Sequence, residues 1–169
     1  MYKWLTLLLF SANLFASPIS HLTKIGEGEM EYLFWTIYQA QFYRAGSNAS
    51  SSTPLEEDHP AKALKIEYYQ SITRQALLDA TIKQWQHLGY SPSQIQSWAE
   101  PLASLWPDIK PGDTLTVLVS KEGASHFFFQ NQRLGSIDDK QFGQAFLSIW
   151  LSEQTTEPEL RLQLLGLNQ

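Results

Sequence analysis

Hydrophobic positions are densest between Pro111 and Leu151, and their period changes within that stretch. Thr114 to Val119 is an apolar, β-branched run, followed by the turn-forming Lys121-Glu122-Gly123-Ala124. His126 to Gln130 carries three consecutive Phe, which suits a strand buried on both faces or lying under a helix. Asn131-Gln132 turns the chain into Arg133 to Ile137, a short third strand. Spacing then becomes helical, with Phe142, Ala145, Phe146, Ile149 and Trp150 on one face. Asp138 or Asp139 can cap that helix, because a short carboxylate accepts the free amide protons of a first turn. This stretch therefore predicts a sheet with an aromatic helix face laid across it.

The rest of the chain extends the same two layers. Glu29 to Trp35 and Thr36 to Tyr43 read as strands, with Gly26-Glu27-Gly28 before them as a turn. That Gly pair is no dinucleotide fingerprint, since the third glycine and the preceding strand are missing. Arg44 to Pro60 is rich in Ser, Asn and acidic residues and predicts a long exposed loop. Lys62 to Tyr69 alternates cleanly, with Leu64, Ile66 and Tyr68 on one face of a half-buried strand. A helix is expected from Thr73 through His87, ended by Gly89, and a second from Ser91, where Pro92 and Gln94 complete a capping box. Pro101 falls inside that second helix and is expected to kink or split it. A final helix opens around Thr156, Pro158 and Glu159 and closes at Gly166. Strands and helices come in blocks without βαβ alternation. The expected class is α+β: a large curved, mostly antiparallel sheet faced by a layer of helices.

Residues 1–16 read as a signal peptide, with Lys3 as the positive region, Trp4 to Phe10 as the apolar core and Ala16 as the cleavage site. The run is shorter than the roughly 20 residues needed to cross a bilayer, so no stable membrane insertion is expected after cleavage. The absence of Cys excludes a lipoprotein anchor, disulfides and thiol chemistry. Residues 17–169 then form a single domain in the periplasm or outside the cell. The full chain's formal charge is −5, and the domain's, without Lys3, is one unit more negative; with no basic cluster it is not expected to bind nucleic acid. Nothing in the composition sets an oligomeric state. Six Trp in a chain of this length fill a core, and they also suit a pocket for a flat or apolar ligand.

Candidate chemistry is sparse. The four His (His21, His59, His87 and His126) share no metal-ligand spacing, and no nucleophile elbow or phosphate loop is present. Asp138-Asp139 reads as a helix cap and Glu56-Glu57-Asp58 as a solvated run.

The run from PGD through LGSIDD, FGQAFLSIWL and TEPELRLQLLG, with GEGEMEYLFWTIYQAQFY and ALKIEYYQSITRQALLDATIKQW upstream, resembles the bacterial, exported branch of the chalcone isomerase-like family. The resemblance implies the curved sheet with its helical layer and chemistry without metal or organic cofactor. The plant isomerases of that family close a chalcone to a flavanone, using an Arg on the lead-in to the first conserved strand, a Thr on that strand and a Tyr from the helical layer. Here the Thr position corresponds to Tyr38, and the Arg position falls near Gly26, where Lys24 is the one cation. The catalytic set is not matched, and no catalytic residue is assigned. Fatty-acid-binding relatives use the same cleft for a carboxylate and an apolar tail, which implies Tyr38, Tyr68, Arg74 and Arg133 as candidate ligand-binding residues. As purely structural residues, the two Tyr would be core aromatics with a polar tip, Arg74 a helix-start residue and Arg133 a hairpin-turn residue. Three functions remain open: a non-catalytic binder of a small amphipathic or aromatic acid, a cofactor-independent lyase or isomerase on another substrate, and a structural or partner-binding protein with a filled cleft.

Overall fold

Alternation along the chain becomes a six-stranded antiparallel meander in the computed structural model, which describes residues 16–46 and 60–167. The strands are β1 (Thr23–Tyr32), β2 (Trp35–Arg44), β3 (Lys62–Tyr68), β4 (Thr114–Val119), β5 (Ser125–Phe129) and β6 (Gln132–Ile137). They lie side by side in chain order, each antiparallel to the next. The helices are α1 (Arg74–His87), α2 (Pro92–Leu105), α3 (Lys140–Leu151) and α4 (Pro158–Leu164). The signal-peptide expectation falls almost wholly on residues 1–15, and most of the expected loop on residues 47–59, outside the described residues.

Register explains which face carries the helices. Phe42, Leu64, Val117 and Phe127 are successive cross-strand partners, as are Ala40, Ile66 and Leu115. Because side chains alternate along a strand, both rows point to one face. All of these residues are buried in one core with Trp85 of α1, Trp98 and Leu102 of α2, Phe142 and Phe146 of α3, and Leu160 and Leu164 of α4. Ile19 and Leu22 form a separate small cluster with Ala63, packed by Tyr43 and Leu118.

Aromatic rings dominate the main core. Trp85, Trp98, Trp106, Phe127, Phe142 and Phe146 contact one another with centroids 5.4 to 6.4 Å apart, mostly edge to face, the arrangement the ring quadrupole favours. Buried indoles need acceptors. Trp85 Nε1 donates to the Ala145 carbonyl at 3.0 Å, and Trp98 Nε1 to Asp139 Oδ2 at 2.8 Å. Asp139 is also the α3 cap, its Oδ1 accepting from the Gln141 amide at 2.9 Å. One carboxylate thus starts a helix and fixes a core Trp.

Several boundaries differ from the sequence expectation. Gly26-Glu27-Gly28 is strand, not turn, and lies in the middle of β1. Gly26 and Gly28 pair with Phe42 and Ala40, on the helix-facing side. A Cβ at Gly26 would collide with the Gln163 and Leu164 carbonyls, and one at Gly28 with the Gln163 and Leu160 side chains. The glycines admit α4 onto the edge strand. The real turn is Leu33-Phe34, with Leu33 at φ 57°. Tyr32, Leu33, Phe34 and Trp35 stand out at this tip, Phe34 98% exposed. Pro101 does not split α2, which runs as one helix from its Ser91–Gln94 capping box to Leu105. The β5–β6 turn centres on Gln130-Asn131, both at positive φ, as a two-residue hairpin requires.

Candidate functional site

Between the middle of the sheet and the helices lies a cavity of about 240 Å³. Leu64, Ile66 and Tyr68 of β3 with Leu115 and Val117 of β4 form its floor. Ala76, Leu77 and Ala80 of α1 border it on one side, Phe146, Ile149 and Trp150 of α3 on another. The small side chains at Ala76 and Ala80, one helical turn apart, leave the space that a Leu at either would fill. Ala76, Ala80 and Thr156 are exposed as well as lining, so the cavity opens to solvent along the seam between α1 and the segment before α4. Thr156 Oγ1 donates to Gln84 Oε1 at 3.2 Å across that seam.

The polar end is made by two tyrosines. Tyr38 and Tyr68 are register partners on β2 and β3, with rings 5.8 Å apart at 66°. Tyr38 Oη accepts a hydrogen bond from Trp150 Nε1 at 2.9 Å. Burial raises its pKa to about 12; the Trp150 bond opposes the shift, and the Glu157 carboxylate adds to it. Tyr68 is only 4% exposed and is pushed further up, first by burial and then by Tyr38. Both phenols are therefore neutral donors at any physiological pH. Among the described residues the Tyr68 hydroxyl has no hydrogen-bond partner, and it lines the cavity. Trp106 lines the cavity too, and its indole N–H is buried without an acceptor among the described residues.

Of the four residues expected at the site, the structure brings Tyr38 and Tyr68 together there. Arg74 and Arg133 do not line the cavity. Arg74 is the exposed first residue of α1, its backbone N–H donating to Asp108 Oδ1 at 2.8 Å. Arg133 pairs with Phe128 across β5–β6, on the sheet face turned away from the helices, and its Nη2 lies 3.3 Å from His126 Nδ1. Lys24 is likewise outside, in an exposed ion pair with Glu27 at 2.9 Å. Among the described residues the one charged group lining the cavity is Glu157. Sequence reasoning missed Glu157, whose only local signal is its place before a helix. It placed Trp150 on the aromatic face of α3, but the bond to a Tyr 112 positions away has no local signature.

An open-faced antiparallel sheet, roofed by helices and enclosing an apolar cavity with two neutral phenols at one end, defines a cavity-bearing α+β protein. The chain belongs to the chalcone isomerase-like family, whose model matches residues 20–166. It is 28% identical over 151 residues to an uncharacterized protein of Haemophilus influenzae, covering 89% of this chain and 71% of that one. Among solved structures it is similar to the crystal structure of an Arabidopsis thaliana fatty-acid binding protein, with a TM-score of 0.64 and 14% identity over 89% of each chain. At that identity the likeness establishes the fold.

Proposed function

We propose that this chain is an exported, non-catalytic binding protein that holds a small amphipathic or aromatic molecule between its sheet and its helices. The observation that carries this reading is the partly open apolar cavity ending in the Tyr38–Tyr68 pair. An apolar pocket with few convergent polar groups is the usual form of a small-molecule site. The fatty-acid-binding activity named for the Arabidopsis neighbour supports the same use of the fold. Turnover has less support. The residue matching the family's catalytic Thr is Tyr38, and the segment matching its Arg is packed against α4 at Gly26. A phenol whose pKa is raised to about 12 is a weak acid and is not ionised to act as a base near neutrality. Export rests on the signal peptide expected in residues 1–16.

Native mass spectrometry of the protein purified from its own compartment tests the reading. The wild type should carry a small-molecule adduct, and Ala80→Phe, which fills the cavity from α1, should lose it while keeping its melting temperature. Absence of any adduct, together with no quenching of Trp fluorescence by 1-naphthol, would refute binding. Rapid loss of a chalcone's visible absorbance, abolished by Tyr38→Phe, would replace it with the isomerase reading.

A further inference from the structure

The charge and size of the cavity say more about its occupant, on the premise that the cavity is the binding site. We propose that it selects an uncharged molecule of about ten non-hydrogen atoms whose carbonyl or hydroxyl oxygen docks on the Tyr68 hydroxyl, and that it discriminates against carboxylates.

Size comes first. A dry engineered cavity of about 150 Å³ accommodates benzene, with six heavy atoms. In proportion, 240 Å³ encloses roughly ten, a medium alkyl chain or a bicyclic ring. A long acyl chain would not be fully enclosed.

Charge comes second. A carboxylate buried in this cavity would meet no counter-ion, because no Lys, Arg or His is among the described residues that line it. Burying an unpaired carboxylate costs several kcal/mol even after local relaxation. Glu157 adds repulsion, since its charge already raises the pKa of Tyr38 at the polar end. Its carboxylate has no hydrogen-bonding or ion-pair partner among the described residues.

Hydrogen bonding comes third. Tyr68 offers an O–H with no acceptor among the described residues, while Tyr38 uses a lone pair on Trp150 and keeps its own proton to donate. A neutral oxygen can accept from such phenols without an ionic partner. Tyr68 lines the cavity, so a ligand oxygen that enters can accept from its hydroxyl.

The test is isothermal titration of the full chain, without its signal peptide, with three probes that share a ten-carbon chain. These are decan-1-ol, decanoate and decylammonium, at pH 7.4 and below their aggregation concentrations. Decanol should bind at least tenfold more tightly than decanoate. Decanoate binding should strengthen as the pH falls toward the pKa of the free acid, with decanol unchanged. Glu157→Gln should raise decanoate affinity several-fold relative to decanol. Tyr68→Phe should weaken decanol several-fold without changing the melting temperature. Decanoate binding as tightly as decanol, or decylammonium binding most tightly, overturns the selectivity while leaving the binding reading intact. No heat with any of the three probes overturns both.

Discussion

Raising the pH should unfold this protein in a way that reports directly on the phenol pair at the cavity. Tyr38 has a folded pKa of about 12 against an unfolded value near 10. Above pH 10 the unfolded chain loses its phenolic proton while the folded chain keeps it. The folded state then binds more protons, so stability falls as pH rises. The contribution is complete below pH 10 and gone above pH 12. One unit of difference is about 1.4 kcal/mol, so Tyr38 alone removes about 1.4 kcal/mol at pH 11 and about 2.3 kcal/mol at pH 12, toward a limit of about 2.7 kcal/mol. Tyr68, raised further by the same burial, steepens the loss. Urea unfolding followed by Trp fluorescence at pH 8, 9, 10 and 11 gives the curve. Other groups titrate in this range, so the decisive quantity is the difference between wild type and Tyr38→Phe. At pH 8 the variant should be less stable by about 1 kcal/mol, because Trp150 Nε1 loses its acceptor. By pH 11 that gap should close or reverse. A gap constant from pH 8 to 11 would show that Tyr38 titrates alike in both states, and the neutral, desolvated phenol on which the binding reading rests would be wrong.

Three further outcomes test the frame around the site. Gly28→Ala should cost about 1–3 kcal/mol in thermal unfolding, because the new methyl group meets Leu160 Cδ1 at 2.8 Å and the Gln163 side chain and pushes α4 off β1. Asp139→Ala should lose about 2–3 kcal/mol in urea unfolding, since it removes both a helix cap and the acceptor of a buried indole. Phe34→Ser should leave stability within about 0.5 kcal/mol of wild type by the same measurement, because the ring is 98% exposed and contributes no core packing.

Elements with a strong local signal were legible before any coordinates. The Ser91–Gln94 box, a cap at Asp138 or Asp139 (Asp139 in the structure) and the alternation of Leu64, Ile66 and Tyr68 all depend on neighbours within a few residues. β1 was partly hidden because its alternation is written in glycine. Glu27, Glu29 and Glu31 point one way and Gly26, Gly28 and Met30 the other, so the inward face shows no hydrophobic row. The reason lies about 130 residues downstream, where α4 must approach the strand backbone. The site was legible in halves for a related reason. Tyr38 and Tyr68 stand on strands whose facing side the pattern shows. Arg74 and Arg133 sit at element ends, where pattern does not say which surface they join, and both join solvent.

The same close contacts account for where the cavity lies. At one flank α4 is drawn onto β1 by Gly26 and Gly28. At the other, Gly143 brings α3 against β4 and β5, where a Cβ would meet Val119 Cγ1 at 2.7 Å and Ser125 Oγ at 2.8 Å. The helical layer is thus held tight to the sheet at both flanks by residues without side chains. The middle of the sheet is faced by α1, which presents Ala76 and Ala80 instead of larger residues. Interiors normally close to native density, so a gap of 240 Å³ forgoes dispersion contacts and burial that a Leu at position 76 or 80 would supply. Two alanines at the mouth of this gap, beside a core rich in Trp and Phe, leave it unfilled. Under the binding proposal, a ligand entering there would recover the missing contacts, while the glycine contacts at the flanks hold the helices close to the sheet.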